Sequence, residues 1–189
     1  MGVNVHICLA VTADGLVLAV LDQSSYNRSE AKDGTASHES KKVRPIEEKE
    51  SFRWLETLER STADIPRGVR VITVCDREGD MYELFAKAQD LKDPVLIRIV
   101  QNRMTVENKG ILDGIRKKRY RGRFEATIPR DSRSSVPERE AVLQVRYAPY
   151  AVKRPQILNK VKTLPEAIDM HVVYVREEKP ARGKPPIAW

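Results

Sequence analysis

The chain has 189 residues, which is enough for one hydrophobic core or for a core and a smaller lobe. Its content of 41% hydrophobic and 32% charged residues is typical of a folded, soluble protein. No apolar run is long enough to cross a membrane and no secretory signal pattern is present, so we expect a cytosolic or nuclear setting. The two cysteines, Cys8 and Cys75, lie in apolar runs, which favours buried thiols over a disulfide or a metal pair.

The net charge of +7 is unevenly distributed along the chain. Residues 1–94 carry 13 Lys and Arg against 17 Asp and Glu, a net charge of −4, whereas residues 95–189 carry 21 against 10, a net charge of +11. The basic half therefore predicts a polyanionic partner. The alternative is a solvated, Arg-rich surface that serves solubility.

The first elements in chain order are two strands. Apolar residues at every second position from Val3 to Val11 predict a strand with one strongly apolar face. Residues 16–21 are nearly all apolar and follow a turn at residues 13–15, so the two strands are expected to form an antiparallel hairpin. His6 is expected to pack within this hairpin rather than to bind a ligand.

A long polar segment and a helix follow the hairpin. Residues 22–45 lack periodicity and predict a surface loop. Pro45, the glutamates after it, and an apolar face that includes Trp54 and Leu58 predict a helix over residues 46–61.

Residues 69–85, VRVITVCDREGDMYELF, are the most informative stretch for function. Residues 69–75 predict a strand buried on both faces, and the residues after 80 predict an amphipathic helix. Asp76 then lies at the carboxyl end of a strand, where ligands collect in α/β sheets, and we interpret it as a Mg²⁺ ligand. The alternative is structural: Asp80 would cap the helix and Asp76 would pair with Arg77. The spacing excludes an EF-hand calcium loop.

The rest of the chain predicts one more core strand and then a β-rich lobe. Residues 94–100 form the strand, which Arg98 interrupts. A helical turn over residues 111–118 precedes three probable strands at 123–129, 141–148 and 171–176, and the prolines of residues 179–186 exclude a helix or a central strand there.

Six cations fall within residues 116–123, interleaved with Tyr120 and followed by Phe124. Cations and aromatic rings in this arrangement favour contacts with phosphates and stacking on bases. The alternative is a solvated basic turn in which Phe124 is a core strand residue.

The combination of motifs resembles the bacterial insertion-sequence-four family of DDE transposases, the group that contains the Tn-five enzyme. The likeness runs nearly from end to end, and the Asp-Arg-Glu-Gly-Asp element at residues 76–80 is its most diagnostic part. The matching segments are Val5-His6 with residues 9–16, Glu48-Lys49-Glu50-Ser51 with Trp54-Leu55, residues 74–82, Ile97-Arg98, Asn102-Arg103, Arg176-Glu177-Glu178 with Pro180 and Gly183, and Ile187-Ala188-Trp189.

The resemblance implies a mixed α/β sheet with flanking helices of the ribonuclease H-like type over residues 1–103, and a β-rich insertion lobe over residues 104–189. It implies that Asp76 is the second catalytic aspartate and a ligand of Mg²⁺ or Mn²⁺, of which the complete enzyme holds two ions. The chemistry would be hydrolysis at the transposon end, hairpin formation and strand transfer. With the basic segment, the resemblance gives these predicted DNA-binding residues: Arg77, Arg98, Arg103, Arg119, Arg121, Arg123, Phe124 and Trp189, the last stacking on a flipped base.

The sequence departs from the family pattern at two of three catalytic acids. The first aspartate is expected before the His6 segment, and the glutamate in a helix after Trp189, so the chain resembles an internal fragment. We expect it to bind metal weakly, not to cut DNA, and to bind double-stranded DNA of transposon ends and target. The full enzyme would be a dimer on DNA in the bacterial cytoplasm, associated with the nucleoid.

Two alternatives remain at this point. The first is a non-catalytic remnant that binds DNA or a partner. The second is another ribonuclease H-like nuclease, whose missing acids would come from elsewhere in this chain.

Overall fold

The structure, a computed structural model, describes residues 3–26, 44–63, 65–130, 137–158, 160–180, 183 and 186–189. The fold is mixed α/β, as the sequence predicts. The chain divides into two compact units: unit 1 comprises Met1–Val100 and Pro155–Leu164, and unit 2 comprises Gln101–Arg154 and Pro165–Trp189. None of the helices in the described ranges is long and apolar enough to cross a membrane.

Unit 1 begins with the predicted antiparallel hairpin of β1 (Asn4–Val11) and β2 (Val17–Tyr26). Its turn is closed by the amide of Thr12, which donates to the carbonyl of Leu16 at 2.9 Å. The second strand continues to Tyr26, beyond the predicted start of the loop at residue 22. Polar Asp22 fits in a strand because its carboxylate accepts hydrogen bonds from Thr57 at 2.7 Å and Arg60 at 2.9 Å. Most of the predicted loop, residues 27–43, lies outside the described residues.

A 3₁₀ turn at Ile46–Glu48 and helix α1 (Phe52–Ala63) replace the single predicted helix over 46–61. Helix α1 packs on the side of β1 that carries His6, whose ring centroid lies 4.6 Å from that of Trp54. The predicted packing of His6 is therefore confirmed. The apolar face of β1 is the exposed one instead, with Val5, Ile7 and Leu9 between 45% and 51% exposed.

The centre of unit 1 is a parallel pair of short strands, β3 (Thr73–Cys75) and β4 (Val95–Ile97), with helix α2 (Tyr82–Leu91) between them in sequence. Leu58, Cys75, Leu84 and Ala88 form its buried cluster. The prediction of a strand buried on both faces over residues 69–75 was wrong. Val74 is 71% exposed because the core cluster lies on the side of Cys75 and, within the described residues, β3 pairs with β4 alone.

Unit 2 is an antiparallel sheet in the order β5 (Gly122–Ile128), β6 (Arg139–Lys153) and β7 (Ala167–Glu177). Strands are therefore present close to the three predicted positions, 123–129, 141–148 and 171–176. A short helix α3 (Ile111–Ile115) buries Ile111 and Ile115 completely. A further 3₁₀ turn, Gln156–Leu158, belongs to unit 1. At the end of the described chain, Trp189 and Val175 exchange two backbone hydrogen bonds of 2.9 Å, which adds an extended segment beside β7.

Candidate functional site

Asp76 directly follows β3, as the sequence predicts. Its side-chain Oδ1 accepts a hydrogen bond of 2.8 Å from the amide of Glu78 and so caps the 3₁₀ turn Arg77–Gly79. This local bond fixes the carboxylate at the strand end while the residue stays exposed. Gly79 is required by packing, since a Cβ placed there would lie 2.8 Å from the Cβ of Cys75. The arrangement holds one accessible carboxylate in a fixed position.

Cys75 lies immediately behind Asp76 in the core. Burial raises the pKa of its thiol to about 11, and the neighbouring Cys8 and Asp76 add to this shift because they disfavour a second negative charge. The thiol is therefore protonated at neutral pH and is not a nucleophile. The expected buried, free thiol is confirmed for Cys75, whereas Cys8 is free but only half-buried.

The other acids of residues 76–80 have separate structural roles. Asp80 is buried and its Oδ2 accepts a hydrogen bond of 2.7 Å from the amide of Val100, which ties the start of α2 to the chain beyond β4. Met81 occupies the N-cap position of α2, so the interpretation of Asp80 as the helix cap was wrong. Glu78 pairs with Arg53 at 3.2 Å. Across the described residues, no three His, Cys, Asp or Glu side chains could jointly hold a metal ion.

Two predicted DNA-binding residues share the surroundings of Asp76 in unit 1. Arg77 is exposed in the 3₁₀ turn. Arg98 is exposed directly after β4, and its amide donates to the carbonyl of Cys75 at 3.3 Å. Because β3 and β4 are parallel, Asp76 and Arg98 follow the carboxyl ends of two neighbouring strands at the same edge. A carboxylate and a guanidinium at one edge can bind a cation and a phosphate, respectively.

The remaining predicted DNA-binding residues belong to unit 2. Arg103 is only 7% exposed, and its backbone pairs with Gln101 and Ile111, so its side chain is part of the packed interior. Phe124 and Trp189 are 46% and 49% exposed. The alternative in which Phe124 is a core residue is therefore wrong, because nearly half of its side chain is exposed to solvent.

The basic segment, residues 116–123, is exposed and is held against the sheet by hydrogen bonds. The amide of Arg121 donates to the carbonyl of Val145 at 2.8 Å, and Nε of Arg146 donates to the carbonyl of Lys118 at 2.9 Å. Arg119, Arg121 and Arg123 all remain exposed to solvent. The structure thus presents these cations on an ordered strand end rather than in a loose turn.

Sequence reasoning did not single out Tyr147. This residue is 52% exposed on β6, and the guanidinium of Arg121 lies 5.9 Å from its ring centroid. The alternation of side chains along the strand could have indicated its position, because Tyr147 stands two residues after Val145 and so lies on the same face. An aromatic ring at such a position is ordinarily assigned to the core.

No family model matches the chain, and a comparison with curated proteins finds no match.

Proposed function

We propose that the chain is part of a DDE-type DNA transposase, with a ribonuclease H-like core in unit 1 and a DNA-binding lobe in unit 2. The observation that carries the proposal is the exposed carboxylate of Asp76, held by a local hydrogen bond at the carboxyl end of β3. Such an edge is where ligands bind in parallel sheets. The sequence resemblance supports this position as that of the second catalytic aspartate.

The residues around Asp76 fit the binding of a divalent ion and of a phosphate. Mg²⁺ uses one or two protein carboxylates and completes its octahedron with water and phosphate oxygens, so Asp76 could serve as a ligand from this chain. Such an ion, bound with acids from outside these 189 residues, would supply a metal-activated water and charge stabilisation for phosphoryl transfer. In this chain Asp76 would ligate the ion, and Arg77 and Arg98 would hold the phosphodiester by charge-assisted hydrogen bonds.

The surface of unit 2 supports DNA as the substrate. Arg119, Arg121 and Arg123 are exposed and lie where β5 begins, next to exposed Lys117 and Lys118. A dense row of cations on a rigid strand end suits the regular charge of a DNA backbone and releases its counterions on binding.

Duplex binding tests the DNA-binding part of the proposal. We expect the 189-residue chain to bind a labelled duplex with an affinity that falls steeply as salt rises. The double variant Arg119→Gln/Arg123→Gln should weaken binding and reduce the salt slope by about 2, one for each lost phosphate contact. The matched control Arg67→Gln/Arg70→Gln removes two exposed arginines of unit 1 and should leave affinity and slope unchanged. Equal losses in both variants would contradict the assignment to unit 2.

Cleavage assays test the catalytic part. We expect the chain alone to leave duplex DNA intact in Mg²⁺, and Asp76→Ala to bind duplex as tightly as the parent. Mg²⁺-dependent nicking that Asp76→Ala abolishes would instead identify a self-sufficient nuclease. Coding sequence on either side for an Asp-Thr-Thr strand and a Tyr-Arg-Glu-Lys helix would support the transposase directly.

A non-catalytic DNA-binding remnant is the second candidate. It is favoured by the contrast between unit 1, where no three described acids, histidines or cysteines could hold a metal ion together, and unit 2, which exposes several cations. It predicts the same salt-dependent binding. It also predicts no DNA cleavage when the flanking coding sequence is included.

A further inference from the structure

Unit 2 exposes more aromatic rings than the two, Phe124 and Trp189, that are among the predicted DNA-binding residues. Among the described residues, the exposed large aromatic side chains are Tyr120, Phe124, Tyr147 and Trp189, which are 46% to 52% exposed and all belong to unit 2. Exposed rings of this size normally have a binding role when they are grouped.

The strand register places three of these rings on one face. Tyr147 is directly opposite Val173, and Val145 is directly opposite Val175, which in turn pairs with Trp189. Residues that pair directly, or that stand two apart on a strand, project from the same face. Tyr147, Val173, Val145, Val175 and Trp189 therefore share a face.

Phe124 joins the same face on the neighbouring strand. Gly122 pairs with Val145 and Phe124 pairs with Leu143, which stands two positions before Val145. We call the surface formed by Phe124, Val145, Tyr147, Val173, Val175 and Trp189 the aromatic face.

The opposite face along the middle of β6 and β7 is already covered. Val152, Val172 and Tyr174 are at most 7% exposed there. Helix α3 lies against this side so closely that a Cβ at Gly114 would be 2.8 Å from the hydroxyl of Tyr150. The aromatic face is thus uncovered around Tyr147 and Val173, which are each more than half exposed, whereas it is covered towards the pair of Phe124 and Leu143, where Leu143 is 0% exposed.

Cations border the aromatic face at the start of β5. The Arg121 guanidinium stands 5.9 Å from the Tyr147 ring, and Lys117, Lys118 and Arg119 are exposed just before it. This charge complements a polyanion, whereas an aliphatic partner surface would gain nothing from it. Arginine near an aromatic ring can also stack on a base or bind a phosphate beside it.

The distance between the rings favours stacking on unpaired bases over binding to the stacked bases of a duplex. Tyr147 and Trp189 are separated by two strand spacings and two residues along the strand, or about 12 Å. Neighbouring bases in a duplex are about 3.4 Å apart and are hidden between their neighbours. Rings fixed this far apart on a sheet can stack only on bases that are splayed out of a helix.

We infer that the aromatic face is a stacking platform for the unpaired bases of single-stranded DNA, with Tyr147 at its centre and Arg121 holding the adjacent backbone. The inference rests on the proposed DNA-binding function. It adds that this face of unit 2 binds single-stranded rather than double-stranded DNA. Stacking on aromatic rings tolerates any base, so the platform would bind without sequence preference.

Binding of the 189-residue chain to a labelled oligo-dT, which cannot pair with itself, and to a duplex of equal length tests this inference by fluorescence anisotropy. Tyr147→Leu retains apolar bulk but loses the ring, and it should weaken oligo-dT binding by about tenfold while duplex binding changes less than about twofold. Tyr147→Phe retains the ring and should bind both DNAs as the parent does. Thermal melting of each variant checks the fold.

The outcomes separate this inference from the proposed function. If the parent binds duplex in a salt-dependent manner but Tyr147→Leu does not weaken oligo-dT binding, the platform is refuted and the proposed function stands. Equal loss for both DNAs also refutes the platform. If the parent binds no DNA, both are refuted. As a test without a variant, photocrosslinking of iodouracil-substituted oligo-dT should label Tyr147, and labelling confined to unit 1 would overturn the inference.

Discussion

The two units expose apolar side chains of different kinds. In unit 1 the exposed large apolar residues that the structure describes are aliphatic, most densely on β1 and β2, where Ile7 is 49% and Leu18 is 63% exposed. In unit 2 they include four aromatic rings bordered by arginine and lysine. Aliphatic surface without charge is typical of a protein–protein contact, whereas rings beside cations suit nucleic acid. Within the proposed function, this difference favours unit 2 over unit 1 as the unit that binds DNA.

The largest expected effects come from removing core side chains in each unit. Leu84 in unit 1 and Leu143 in unit 2 are at most 1% exposed, and replacing either with Ala should cost about 2–5 kcal/mol in the free energy of unfolding. Denaturant unfolding followed by fluorescence measures unit 1 through Trp54 in a Trp189→Phe background, and unit 2 through Trp189 in a Trp54→Phe background. We expect Leu84→Ala to shift the Trp54 transition more than the Trp189 transition, and Leu143→Ala to do the reverse. Equal shifts of both signals would show one cooperative unit.

Glycine substitutions have a smaller, position-dependent effect. Gly79→Ala forces its Cβ to 2.8 Å from the Cβ of Cys75 and should destabilise unit 1 by about 1–3 kcal/mol. Gly122→Ala is the matched control in unit 2, because nothing lies within 4 Å of a Cβ there. It should be neutral or stabilising by up to about 1 kcal/mol. Similar losses in the two thermal melts would mean that the close packing behind Asp76 is not present.

Acidification should affect the units over different pH ranges. Burial, followed by the charge of Arg53, lowers the pKa of His6 below its ordinary 6.5. The unfolded chain then binds the proton more readily, so unit 1 has its full stability above pH 6.5 and loses some as the pH falls. His6→Phe, which retains a ring beside Trp54, should abolish this loss. A pH dependence in this range that survives the substitution would exclude His6 as its source.

Unit 2 should respond at lower pH. The hydrogen bonds from Arg139, with the charge of that residue, lower the pKa of Glu177 below its ordinary 4.5. The stability from this pair is complete above pH 4.5 and is lost as the pH falls through the folded-state pKa. Glu177 is 2% exposed, so the effect should be visible as a decline of the Trp189 unfolding midpoint below pH 4.5. A midpoint constant down to pH 3 would contradict it.

The smallest effect on stability is expected from charging the exposed face of β1. Ile7→Lys should change the unfolding free energy by less than about 0.5 kcal/mol, because the side chain is already half in water. It should nevertheless reduce binding of a dye that recognises apolar surface. A large loss of stability would mean that this face is covered within the chain.

Local patterns account for much of the fold that the sequence predicted. The hairpin, helix α2 and the strands of unit 2 follow from periodicity and turn residues over short windows. The covered face of β1 could not be predicted in this way, because Trp54 of α1, 48 residues further along the chain, packs beside His6 and leaves the more apolar side of β1 exposed. The length of strand β3 was overestimated for a related reason. Strand length depends on the extent of pairing with a neighbouring strand and not on Val and Ile content alone.

The candidate site was predictable in part. The place of Asp76 was predictable from the sharp end of an apolar run, and the exposure of residues 116–123 from their charge. The burial of Arg103 and the role of Asp80 depend on contacts with distant backbone, as with Val100. Tyr147 emerged only from the register of β6 and β7, which sets the face of each side chain.

Backbone NMR of the 189-residue chain during titration with a duplex tests the assignment of DNA binding to unit 2 most directly. We expect amide resonances of residues 116–124 to shift most and those of residues 4–20 on the aliphatic hairpin to stay in place. Shifts concentrated in the hairpin, or none in residues 116–124 at saturating DNA, would contradict it.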